Sequence, residues 1–238
     1  MTQSMQIIDH LSELRNRILK ILVFLAVGAV IGLVFCKQIF FFLQQPMLKV
    51  LPPNTSFIAT TPFESYTTYL KVSLLAGFFM ASPFIFYQFW QFVSPGLHGG
   101  EKKTLIPFTL LSGLLFIGGA LFGYFVVFPA GFYYINAILA DTGIHLMPRM
   151  SDYLSTATTL LLAFGFCFEL PLLIFLLGKL GLLTYDRIKQ YRRYVIVLLF
   201  FVAAILTPGP DMISQCLLAI PLWILYEAGG VSLLLLKK

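Results

Sequence analysis

Long apolar runs broken by short polar clusters alternate along the whole chain. A helix needs about 20 apolar residues to cross the hydrocarbon of a bilayer. Runs of that kind occupy about residues 18–36, 70–93, 105–129 and 153–178, and two shorter ones occupy about 193–207 and 212–230. The pattern predicts an all-α polytopic fold of six membrane spans, the last two short. Between the first two spans, Lys37 to Tyr69 carries Pro46, Pro52, Pro53 and Pro62 as breakers. Its Ile39 to Leu43 stretch is too short to cross and is expected at the interface. Pro83 predicts a kink in the second span. Gly113, Gly118, Gly119 and Gly123 in the third are small residues that permit close helix contact. A loop is expected over Ala130 to Ser151, which holds Asp141-Thr142-Gly143 and Pro148. The fourth span is interrupted by Glu169 and Pro171. Thr207-Pro208-Gly209-Pro210 separates the two short spans and cannot be helical throughout.

Composition sharpens this picture. Of 238 residues, 59% are hydrophobic and 11% charged, and mean hydropathy is +0.90. A soluble domain carries about 25% charged residues, so this chain lacks the polar surface to face water, and the lipid bilayer is its solvent. No soluble block interrupts the pattern, which predicts one membrane domain over residues 1–238. The excess of 16 Lys+Arg over 10 Asp+Glu suits cytoplasmic loops and forms no dense stripe of the kind nucleic acid requires. Counted on alternate sides of six spans, twelve basic residues fall on one face and four on the other. The richer face holds Arg15, Arg17, Lys20, Lys102, Lys103, the five of the Lys179 to Arg193 connector, and Lys237 and Lys238. The positive-inside rule then places both termini in the cytoplasm. Arg15, Arg17 and Lys20 before Ile21 to Phe35 imitate a signal peptide, but Asp9 and Glu13 intrude and no A-x-A site follows. A retained first span is expected.

Catalytic chemistry finds little support. His10, His98 and His145 lie outside the spans, and there is no HExxH, GxSxG or phosphate-cradling glycine loop. Cys36, Cys167 and Cys216 form no CxxC pair, so neither a metal site nor a disulfide framework is indicated, and no cofactor is implied. Glu169 is the most unusual residue, because a carboxylate deep in a span usually faces a partner or a cavity. It reads either as a structural group bonded to a neighbouring helix or as a polar contact point for a partner, with Thr158, Thr159 and Gln215 as candidate neighbours. A secondary transporter coupling ions through Glu169 is a second reading of function, though no inverted repeat supports it. Glu13 stands four residues before Arg17, the spacing of an ordinary helical ion pair. Glu101 is followed by Lys102 and Lys103 and reads by itself as a solvated loop charge.

Five segments, in order, carry a resemblance. They are His10-Leu11-Ser12-Glu13-Leu14-Arg15-Asn16-Arg17; Ala81-Ser82-Pro83 through Tyr87 to Phe92 and Pro95, leading to Glu101-Lys102-Lys103; Gly123 to Pro129; Ala163-Phe164-Gly165 to Phe168-Glu169-Leu170-Pro171; and Leu206-Thr207-Pro208, Pro210-Asp211, Ser214-Gln215 and Ala219-Ile220-Pro221. Together they resemble the TatC subunit family of the twin-arginine protein translocase. The resemblance implies a six-helix receptor for twin-arginine signal peptides that transports folded proteins across the cell (inner) membrane. It further implies TatA- and TatB-like single-span partner subunits, an oligomeric assembly and energy from the proton-motive force. It assigns Glu13 and Glu101 to an acidic patch for the two arginines, with Phe92 beside it; Glu169 and Gln215 are expected, from their place within the spans, to make intramembrane polar contact with partners. One departure stands out: the family's Pro-Ala-Leu-x-x-His-Glu run is here Pro95-Gly96-Leu97-His98-Gly99-Gly100-Glu101, which gives the backbone before Glu101 more freedom.

Overall fold

Apolar runs become helices here because lipid offers no partner for backbone N–H and C=O groups, and a helix satisfies them internally. The computed structural model describes residues 2–51, 57–93, 102–139, 147–207 and 212–234. Among them are nine α-helices: α1 (Thr2–Val34), α2 (Cys36–Leu48), α3 (Glu64–Val93), α4 (Lys102–Phe122), α5 (Phe128–Leu139), α6 (Met150–Phe168), α7 (Leu170–Lys179), α8 (Tyr185–Leu206) and α9 (Met212–Leu234). No strand occurs among the described residues; Ile58 and Arg149 make one isolated bridge. Five stretches are long and apolar enough to cross a membrane: Leu11–Val34, Glu64–Phe92, Leu105–Ile138, Met150–Lys179 and Gln215–Leu234. Of the two spans expected to be short, the one over 193–207 falls in the second half of α8, whose first half carries Asp186, Arg187, Lys189, Arg192 and Arg193. The one over 212–230 instead falls in α9, whose apolar run continues to Leu234 and is long enough to cross.

Two departures from the expected pattern have local causes. The loop expected from Ala130 is helical as far as Leu139. Between α4 and α5, residues Gly123–Val127 form a π-helical turn in which Phe128 N–H donates to Gly123 O, five residues back. That wider turn feeds Pro129 into the first turn of α5, where a missing N–H does least harm. The break at Glu169 and Pro171 falls where the sequence places it, between α6 and α7.

The chain packs as two compact units, one of residues 1–40 and 69–113, the other of residues 41–68 and 114–238. In the first, α1 and α3 meet backbone to backbone. A Cβ on Gly28 would lie 2.7 Å from Gly77 O, and one on Gly32 would lie 2.6 Å from Ser73 O. Only small residues allow that approach, which is how helices associate where no hydrophobic effect separates them from lipid. Phe24 stacks on Phe84 with centroids 4.3 Å apart. Pro83 lacks the N–H that Phe79 O would accept, and the Ser82 hydroxyl takes its place at 2.8 Å. Trp90 Nε1 donates to Ser112 Oγ at 2.7 Å, pairing two buried groups.

In the second unit, large and small residues interlock. Gly165 faces the Phe116 ring, while Phe164 covers Gly119 and Gly123, and both phenylalanines are fully buried. Gly113 and Gly118, by contrast, meet nothing at Cβ distance. Pro46 leaves Phe42 O in α2 without its usual donor four residues on; the Tyr124 hydroxyl supplies one at 2.6 Å. Tyr153 donates likewise to Leu43 O, and Asn136 Nδ2 to Val50 O at 2.9 Å. At the other end of the unit, α9 packs along α7 and α8. Gly229 sits against Ile174, the Tyr226 hydroxyl donates to Ile188 O at 3.0 Å, and Arg192 forms a two-point pair with Glu227 at 2.6 and 2.7 Å.

Candidate functional site

Glu13 lies on α1 at the edge of its apolar run, and α3 supplies its surroundings. Arg17, one turn on, directs Nε (3.1 Å) and Nη2 to a single Glu13 oxygen, Oε1. The helix periodicity that puts residues i and i+4 on one face brings the pair together. The remaining arm of the guanidinium reaches α3: Nη1 donates to Gln91 Oε1 at 2.8 Å and to Gln88 Oε1 at 3.3 Å. Arg17 is largely enclosed, its side chain 12% exposed, whereas that of Glu13 is 42% exposed. Gln88 is buried. Phe92 follows Gln88 by four residues, hence on the same face of α3, and is half-buried.

The cluster is thus a carboxylate and two amide oxygens gathered around a planar cation. Charge-assisted bonds to carboxylate are shorter and stronger than neutral ones, and the guanidinium fork adds direction to them. The arrangement suits recognition of guanidinium groups. Glu13 stands in this cluster, and Phe92 lies on the face of α3 that carries Gln88. Glu101 lies outside the described residues. Gln88 and Gln91 were not foreseen; a polar pair late in an apolar span is the signal that marks them.

Glu169 is buried and stands at the junction of α6 and α7. The helix halts there because Pro171 follows, so the carboxylate sits where backbone regularity is already broken. Gln215 is half-buried on α9, which packs against both α6 and α7. Of the candidate neighbours, Thr159 commits its hydroxyl to Ser155 O at 3.0 Å in its own helix.

A second polar cluster was not anticipated. Glu64, buried in the first turn of α3, accepts from Thr60 N at 2.7 Å, Thr60 Oγ1 at 3.0 Å, Thr61 N at 3.3 Å and Ser151 N at 3.0 Å. Arg149 Nε reaches both its oxygens at 3.2 Å. Ile58 N–H donates to Pro148 O and Met150 N–H to Ile58 O beside it. One carboxylate thereby ties the segment before α3 to the start of α6. Among the described residues, no group of three or more His, Cys, Asp or Glu side chains has the arrangement of a metal site.

Residues 9–221 match the family model "Sec-independent protein translocase protein (TatC)". The chain is 44% identical over 219 residues to the TatC protein of Desulforapulum autotrophicum, covering 92% of this chain and 80% of that one. It is 36% identical over 223 residues to the TatC protein of Escherichia coli, covering 94% and 86%. Among solved structures, one described as the twin-arginine translocase receptor TatC superposes with a TM-score of 0.81 at 37% identity, over 96% of this chain and all of that one.

Proposed function

This chain belongs to the TatC family of Sec-independent protein translocase proteins, and from that premise we propose that it is the receptor which binds twin-arginine signal peptides and passes their folded cargo across the membrane. It is a multi-pass membrane protein and a translocase component. In the finer reading, six helices cross the bilayer with both termini cytoplasmic, α8 being the short one. Glu13 and Glu101 receive the two arginines, and Phe92 offers an apolar contact to the residues that follow them. Single-span subunits of the TatA and TatB kind gather at Glu169 and Gln215. The transporter reading built on Glu169 is not favoured by family membership.

The observation that carries the receptor reading is that Glu13, Gln88 and Gln91 already hold a guanidinium. A site that satisfies an internal arginine with a carboxylate and amide oxygens has the chemistry an arginine-bearing peptide needs. The test is peptide titration against the full chain in lipid nanodiscs. Glu13→Gln and Glu101→Gln should each weaken binding of an Arg-Arg peptide, and the double variant should remove most of the preference over Lys-Lys. A double variant that still discriminates like the parent protein sinks the acidic patch as the reader.

A further inference from the structure

Arg17 is held as firmly as a bound ligand. Two of its nitrogens donate to Glu13 Oε1 and a third to the oxygens of Gln88 and Gln91. An arginine has five N–H donors and no acceptor, so these contacts engage most of its fork. Gln88 is buried, and its oxygen is 3.3 Å from Nη1. Withdrawing Arg17 would strip a buried acceptor of that donor and leave a cation to be solvated elsewhere. Arg17 therefore stays in place when Glu13 meets a ligand.

That has two effects on Glu13. Arg17 directs two N–H groups to Oε1, which pins that oxygen on the face of α1. The guanidinium Nε is also only 3.1 Å from Oε1, far inside the screening length of about 8 Å at physiological salt. Seen from a ligand's distance, Glu13 and Arg17 act as a dipole rather than as a full negative charge. Glu13 remains half-exposed on its own account, so it is reachable while its partner is enclosed.

We propose that Arg17 is a specificity-determining residue of this site: it cancels most of the charge of Glu13 while fixing its orientation, so that a cation is admitted for the shape of its hydrogen bonds instead of its charge. A lysine ammonium is a compact, strongly hydrated point charge and gains chiefly from net charge. An arginine fork gains from directed bonds to an oriented carboxylate. With Arg17 in position lysine loses most of its attraction and arginine only part. This rests on the reading of Glu13 as a receptor for arginine given above.

The experiment uses the full chain in nanodiscs of zwitterionic lipid and two synthetic signal peptides that differ only in Arg-Arg or Lys-Lys. Arg17→Gln should tighten Lys-Lys binding by about fivefold, the size of one exposed ion pair. The Arg-Arg to Lys-Lys ratio should fall by at least that factor, and Lys-Lys binding should become more sensitive to salt. Arg17→Lys, which keeps a cation beside Glu13 but not the fork that orients it, should lower the ratio by less than Arg17→Gln does. Gln91→Leu, which loosens Arg17 without removing it, should move the ratio the same way as Arg17→Gln and by less. If Arg17→Gln weakens both peptides alike and leaves the ratio unchanged, Arg17 merely supports the fold and the proposal is overturned. A raised ratio overturns it too. Glu13→Gln separates the premise from the proposal: should it leave both peptides bound as before, Glu13 is no receptor at all, whatever Arg17→Gln does.

Discussion

Replacing Glu64 by Ala should destabilise the second unit more than any other single polar change described here. The side chain is 2% exposed and Arg149, its ionic partner, 39%. Breaking a buried ion pair by deleting one partner costs about 3–5 kcal/mol. Water reaches Arg149 and takes over part of its solvation, which lowers the figure. Against that, the N–H groups of Thr60 and Ser151 lose their acceptor, at about 1–3 kcal/mol where water cannot replace it. A net loss of about 2–3 kcal/mol follows from these opposing terms. For a chain of this size that is a fall in Tm of about 5–10 °C. Glu64→Gln keeps an acceptor oxygen but no charge and should lose about half as much. Tryptophan fluorescence or size-exclusion after heating, in a mild detergent, reads the shift. Trypsin adds a local readout, since opening of the Ile58 to Arg149 region should speed cleavage after Arg149. Unfolding and cleavage of Glu64→Ala indistinguishable from the parent protein would refute the reasoning, because they would mean that those six contacts contribute nothing.

Three further outcomes are expected. Gly77→Leu should separate α1 from α3, because even a Cβ there would lie 2.5 Å from Ala29 N; a cysteine crosslink between the two helices that forms as efficiently as before would contradict this. Glu169→Ala should weaken association with single-span subunits while the chain still inserts, and Glu169→Gln should be milder because it keeps hydrogen bonding; failure of both variants to accumulate in membranes would favour a purely structural role. Residues 194–206 of α8 span only about 20 Å at 1.5 Å per residue, against about 30 Å of hydrocarbon, so the bilayer beside α8 should be thin. Spin labels near the end of α8 reporting an undeformed bilayer would exclude that.

What the sequence made legible was whatever the bilayer imposes. Apolar length marked four of the five long crossing stretches, the fifth, Gln215–Leu234, having been read as short, and Pro171 after Glu169 marked the break between α6 and α7. The Glu13 to Arg17 pair was legible because helix periodicity is local. Gln88 and Gln91 were not, since they reach Arg17 from more than 70 residues away, and a polar pair late in a span does not name its partner. Gly28 and Gly77 were missed for the same reason, whereas the glycines that attracted notice divide: Gly119 and Gly123 take Phe164, and Gly113 and Gly118 take nothing. Glu64 hid in plain view, because an acidic residue at a helix start reads as an ordinary dipole complement. The helix from Phe128 to Leu139 was unreadable because Pro129 normally signals an end, and a π turn absorbed it.

The divided character of α8 bears on how the chain is made. Its first half carries five charged residues and its apolar half is too short to partition into lipid unaided. Arg192 gains its carboxylate partner only from Glu227 on α9, 35 residues later, and Tyr226 on α9 supplies the bond to Ile188 O. α8 should therefore settle in the membrane only once α9 has emerged, the two entering together as a helical hairpin, and a chain cut between them should leave α8 open to proteolysis.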